Sequence, residues 1–153
     1  MKLRTRQNDE LIFELTERER SCLVNVLGLY PLTPPAHYQL SRNQCVPEPE
    51  EAQKLLDEAM AEQRAGHRKA LDEFLNSSTR FSKAGPKVLF TLSEPEADFL
   101  LQVLNDIRVG SWISIGSPVE LPPIPTQGNI RGISIMEIAG FFEGNILAAL
   151  TSD

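Results

Sequence analysis

Two stretches of the chain, FELTERERSCLVNVL (Phe13 to Leu27) and FTLSEPEADFLLQVL (Phe90 to Leu104), lie 77 residues apart and agree at seven of fifteen positions. The identities are Phe13/Phe90, Leu15/Leu92, Glu17/Glu94, Glu19/Glu96, Leu23/Leu100, Val26/Val103 and Leu27/Leu104, and Thr16/Ser93 match in chemistry. Average residue usage, ~6% per position, gives about one match by chance. Both copies carry one physical grammar. An apolar run, Leu11 to Leu15 or Val88 to Leu92, reads as a short strand. Thr16 or Ser93 follows as a helix N-cap, with Glu19 or Glu96 three residues on to complete a capping box. Glu17 and Glu94 suit the positive end of a helix, and Pro95 suits its first turn. Leu23, Val26 and Leu27 share a helical face, as do Leu100, Val103 and Leu104.

Capping chemistry recurs at unrelated strand-to-helix junctions, so the flanks decide between convergence and duplication. Both helices lead into proline-rich connections, YPLTPPAHYQLSRNQCVPEPE and GSPVELPPIPTQGN, and each connection precedes another helical pattern. Upstream, Asn8-Asp9 and Gly85-Pro86 place turn residues where each strand would be the second arm of a hairpin. The expectation is an α+β fold, mostly α, made of two pseudo-symmetric strand–helix–loop–helix halves, about 1–77 and 78–153, within one domain. The strands or hairpins of the halves should pair, because a lone strand leaves its backbone groups unsatisfied.

Four main helices are expected. The first spans about Glu17 to Leu29, and the second about Pro49 to Leu75 with Gly66 as an interior weak point. The third spans about Glu94 to Ser111 or beyond, and the fourth about Gly132 to Leu150. The last is apolar around most of its circumference: Ile133, Ile135, Met136, Ile138, Phe141, Phe142, Ile146, Leu147 and Leu150. Such a helix has to be covered on nearly every side. It therefore either runs through the centre of the fold or is covered by a second subunit. Gly140, Gly144 and Ala148 form a smooth strip for close approach. A homodimer with Met136, Gly140, Phe141, Gly144 and Leu147 at its interface is expected.

Composition narrows the function classes. A net charge of −6 over 153 residues argues against tight phosphate-backbone binding, and the one basic terminal cluster, Lys2, Arg4 and Arg6, is soon offset by Asp9, Glu10 and Glu14. Glu137, Glu143 and Asn145 interrupt the longest apolar stretch, so no membrane span is expected, and two cysteines make no disulfide framework. A cytoplasmic location follows as an expectation. Cys22, His37, Cys45 and His67 lack metal-ligand spacing, and phosphate-loop or nucleophile-elbow motifs do not occur in the sequence. No cofactor, metal or catalytic residue is assigned.

Asn105, Asp106 and Arg108 are the best polar cluster, able to grip an anion or, more plainly, to bond loop carbonyls or each other. Trp112 is a core filler or a stacking platform. The segments PLTPPAHY and ELPPIPTQ are rigid connectors or polyproline ligands for a partner.

The segments EADFLLQVLNDIRVGSW and IAGFFEGNILAAL together resemble an uncharacterised bacterial family, a domain of unknown function best known from actinobacteria. It carries a Leu-Asn-Asp-Leu-Arg-like motif, here Leu104 to Arg108, late in its penultimate helix. Where that family continues with a Gly-Thr-Arg-Leu-Gly-like run, this chain reads VGSWISIG. The resemblance implies a mostly helical cytoplasmic protein. Through a neighbouring protease-adaptor gene, it also implies a protein partner in regulation or proteostasis. The main functional expectation is a non-enzymatic interaction or regulatory protein. The alternative is a small-molecule binder or enzyme using Asn105, Asp106 and Arg108, with Trp112 nearby, in a cleft between the halves.

Overall fold

The computed structural model describes residues 1–7, 9–37 and 48–151. Asn8, Cys45 and the middle of the first proline-rich connection lie outside the described residues. The described elements are β1 (Lys2–Gln7), β2 (Glu10–Leu15), α1 (Glu17–Leu27), a 3-10 turn (Pro35–His37), α2 (Pro49–Asn76), β3 (Phe81–Ala84), β4 (Lys87–Ser93), α3 (Glu94–Ser114) and α4 (Ile130–Thr151). Two hairpins join into one antiparallel sheet of order β1-β2-β4-β3.

The register of the central pair shows how the halves are related. Leu11 faces Leu92, Phe13 faces Phe90, and Leu15 faces Val88. Phe90 is the repeat counterpart of Phe13, so the middle pair is a residue opposite its own copy. On either side of it Leu11–Leu92 has its copy in Leu15–Val88, and Ile12–Thr91 in Glu14–Leu89, which is the signature of an isologous two-fold contact. The period-two side-chain alternation sends Leu11, Phe13, Leu15, Val88, Phe90 and Leu92 to one buried face. There the Phe13 and Phe90 rings lie 6.3 Å apart, and Phe81 stacks on Phe90 at 5.0 Å. A bulge between Leu3 and Thr5 places Leu3 opposite Phe13, much as Phe81 stands opposite Phe90. In the second hairpin Gly85 takes φ +63°, the conformation its two-residue turn with Pro86 requires.

Both capping boxes form. Thr16 Oγ1 accepts from the Glu19 N–H at 3.1 Å, and the Thr16 N–H donates to Glu19 Oε2 at 2.7 Å. Ser93 and Glu96 repeat the exchange at 3.4 and 2.8 Å. The helices then press Leu23, Val26 and Leu27, and Leu100, Val103 and Leu104, onto the sheet. Burial of each large apolar side chain contributes about 1.5–3 kcal/mol.

The halves part company after that. α1 ends at Leu27, earlier than the expected Leu29, because the N–H groups of Leu29 and Tyr30 turn back onto Val26 and Leu27 carbonyls at 3.0 and 3.2 Å. α3 continues to Ser114. The chain after α1 crosses α3 at Gly110, where a Cβ would sit 2.4 Å from the Leu32 carbonyl carbon. α2 runs unbroken through Gly66, which is exposed and touches nothing.

The second helix of each half reaches across to the first helix of the other. α2 lies over α3, forming a groove with Ala70, Glu73 and Phe74 on one side and Pro95, Glu96 and Phe99 on the other. α4 lies over α1, forming a groove with Ile138, Phe141 and Phe142 facing Arg18, Glu19 and Cys22. Arg18, Glu19 and Cys22 are the repeat counterparts of Pro95, Glu96 and Phe99. On the second helices, the residues lining the groove correspond at a constant offset of 68. Phe74 and Phe142 are buried at matching positions, as are Leu71 and Ala139.

α4 also runs along the extended end of α3. Its buried residues are Ala139, Phe142, Ile146 and Ala149, while Ile130, Phe141 and Leu147 are exposed. It therefore flanks the fold instead of threading its centre, because its place is that of α2's symmetry mate. By length and composition it is apolar enough to cross a membrane, and 22% of its most apolar window is buried within the chain.

Candidate functional site

The expected cluster Asn105, Asp106 and Arg108 is divided by the helix that carries it. Residues two apart on a helix point roughly 200° away from each other. Asp106 faces the connection after α1, where its Oδ1 accepts from the N–H groups of Leu32 at 2.7 Å and Thr33 at 3.2 Å. The Thr33 hydroxyl returns a bond to the Asp106 carbonyl at 2.8 Å. Arg108 faces the opposite way and pairs with Glu143 of α4 at 2.9 Å. Trp112 is half-buried and donates from Nε1 to the Pro118 carbonyl at 3.0 Å, pinning the start of the second proline-rich connection.

Asp106 organises a cleft that the sequence alone did not assemble. α2 crosses near Thr33, and Arg64 donates to the Thr33 carbonyl at 2.7 Å. One turn along, His67 Nδ1 lies 3.3 Å from the Tyr30 hydroxyl and its ring meets Phe99 edge-on at 5.3 Å. Arg68 donates to the Tyr30 carbonyl. Between α2 and α3 these residues border an open recess of about 170 Å3 lined by Tyr30, Met60, Gln63, Arg64, His67, Gln102, Asn105 and Asp106, with Gln63, Gln102 and Asn105 exposed at its mouth. α2 comes from the first half of the chain and α3 from the second.

The chemistry of this recess is polar and of mixed sign. Gln63, Gln102 and Asn105 present carboxamides, each both donor and acceptor, and none of them bonds another described residue. The Arg64 guanidinium and the Asp106 carboxylate close one end, and the Tyr30–His67 pair forms the back. The volume equals that of five or six water molecules at about 30 Å3 each, so an occupant has to be small. Tyr30 and Arg64 carried no signal in the sequence and His67 was weighed only as a metal ligand, since each is distant in the chain from the residues that give it a role.

The five positions expected at a dimer interface span an arc of about 140° on α4, on the side away from its buried residues. Gly140 lies against the Arg108 side chain, whereas Gly144 has open space beside it. Phe141 and Leu147 are exposed, six residues apart and therefore about 120° apart around the helix. Met136 is half-buried. In the second proline-rich connection, Val119, Leu121 and Ile124 are exposed. No group of three or more potential metal-ligating residues occurs among the described residues.

Comparison with protein-family models, with curated proteins and with solved structures returns no match to this chain, so its reading rests on its own geometry.

Proposed function

We propose that the protein binds a small polar molecule, of the carboxylate or carboxamide class, in the recess between α2 and α3. The observation that carries this reading is the convergence of three uncommitted carboxamides, from Gln63, Gln102 and Asn105, beside Arg64. A planar carboxylate or amide offers acceptors to Arg64 and to the amide N–H groups, and an amide nitrogen finds acceptors in their carbonyls. Water fills such a space, and a ligand that reproduces its hydrogen bonds can take its place. Among the described residues the Tyr30 hydroxyl beside His67 Nδ1 forms the back of the recess, and the reading advanced is binding.

Backbone-amide NMR spectra of the protein, titrated with amino acids, dicarboxylates and their amides, test the proposal. Shifts should concentrate at Gln63, His67, Gln102 and Asn105, and should vanish in the Gln63→Leu, Asn105→Leu double variant. A panel that moves none of these resonances overturns it. A second reading, an interaction or regulatory protein, draws support from the apolar face that α4 leaves uncovered.

A further inference from the structure

The two symmetry-related grooves are lined differently. In the groove between α2 and α3, the Phe99 ring projects from α3 and packs edge-on against His67, while the facing α2 position, Glu73, is charged and exposed. In the groove between α4 and α1, the counterpart of Phe99 is Cys22 and the counterpart of Glu73 is Phe141. The first exchange takes an aromatic ring out of the groove. The groove is an apolar recess of about 290 Å3, with buried Phe142 at its base and Ile138 and exposed Cys22 on its walls, against about 410 Å3 in its mate. The second exchange puts an aromatic ring where its mate is a solvated carboxylate, and Phe141 stands 46% exposed on the lip. One patch thus holds both an apolar recess and, on its lip, an exposed aromatic ring.

The charges on the rim repeat the pattern. Arg18 on α1 and Glu137 on α4 line the same groove, yet neither joins an ion pair among the described residues. A patch with a knob beside a hole and a cation beside an anion is complementary to its own image turned through a two-fold rotation. From this we infer that the occupant of the groove is a second copy of this chain. Phe141 of each protomer enters the recess beside Cys22 of the other, and Arg18 of each meets Glu137 of the other. Further along α4, Gly144 and Ala148 lie within about 60° of Phe141 on the helix and are exposed, so the partner backbone can approach closely. This contact is separate from the cleft between α2 and α3 and does not depend on a ligand there.

Sedimentation velocity of the full chain, from low micromolar to about 200 µM, reads the assembly directly. The wild type should dimerise. Cys22→Phe sets a bulky ring on the wall of the recess where the partner's Phe141 would enter, and should weaken association about tenfold or more. Gly144→Gln places a side chain where the protomer has open space and replaces an interior helical glycine. It should raise the melting temperature of the monomer while weakening the dimer to a similar degree. Arg18→Glu and Glu137→Arg should each weaken the dimer, and together restore it. A wild type that stays monomeric at the highest concentration overturns the proposal, including the case where the recess instead binds a small apolar probe. So does a dimer indifferent to Cys22→Phe, or a charge-reversed pair that fails to recover. Circular dichroism melts of each variant separate lost association from lost folding.

Discussion

Thr16 and Ser93 each start a helix with a single side-chain oxygen, and each is held in turn by a glutamate three residues on. Replacing either with alanine should cost about 1 kcal/mol, read as the shift in urea midpoint, because one backbone N–H at the helix start loses its partner. The glutamates add a pH dependence. Burial pushes the Glu96 carboxyl up. The bidentate Arg80 guanidinium, together with the Ser93 N–H and hydroxyl, outweighs it and holds the carboxyl below its ordinary 4.5. A folded-state value below the unfolded one means the contribution is complete above about pH 4.5 and is lost as pH falls through the folded value. The stability gap between wild type and Glu96→Gln should therefore be widest near neutral pH and close on acidification below that point. The boxes were legible because their partners sit three residues apart. Arg80 was not, since a cation 16 residues upstream becomes a partner only after β3 folds back beside β4.

At the scale of elements, α3 shows how one helix can serve two neighbours and divide a motif. The Asn105-Asp106-Arg108 string looked like one site, but helical geometry gave Asp106 to the loop at Leu32 and Thr33, and Arg108 to Glu143. Asp106→Ala should strand two backbone N–H groups, one on buried Thr33, at a cost of about 1–3 kcal/mol in chemical denaturation. Gly110→Ala should be destabilising by a comparable amount, since its methyl would overlap the Leu32 carbonyl. Local pattern foretold where the helices lie, within a few residues at each end. It could not foretell that α2 packs over α3 and α4 over α1, because an apolar stripe records that a face is covered and not by what. The cleft was hidden for the same reason: Tyr30 and His67 are 37 residues apart in sequence and 3.3 Å apart in space.

For the molecule as a whole, the doubled sentence in the sequence becomes a dyad through the sheet, and symmetry sets an expectation about energetics. Phe13→Ala and Phe90→Ala remove the same ring from either side of one axis, and each should cost about 3–5 kcal/mol in urea unfolding. Phe90 should lie toward the upper end, since it also stacks on Phe81 and meets Phe74 edge-on at 6.1 Å. A strand that meets its own copy across an axis has no need of a covalent link to it. Nor does α1 take its covering helix from its own half. Cutting the chain near residue 78, just beyond α2, should leave two fragments that are incomplete apart and recover the fold on mixing. A polypeptide with this layout carries the two sides of one symmetric contact on a single backbone, so each side can differ in sequence without the other changing.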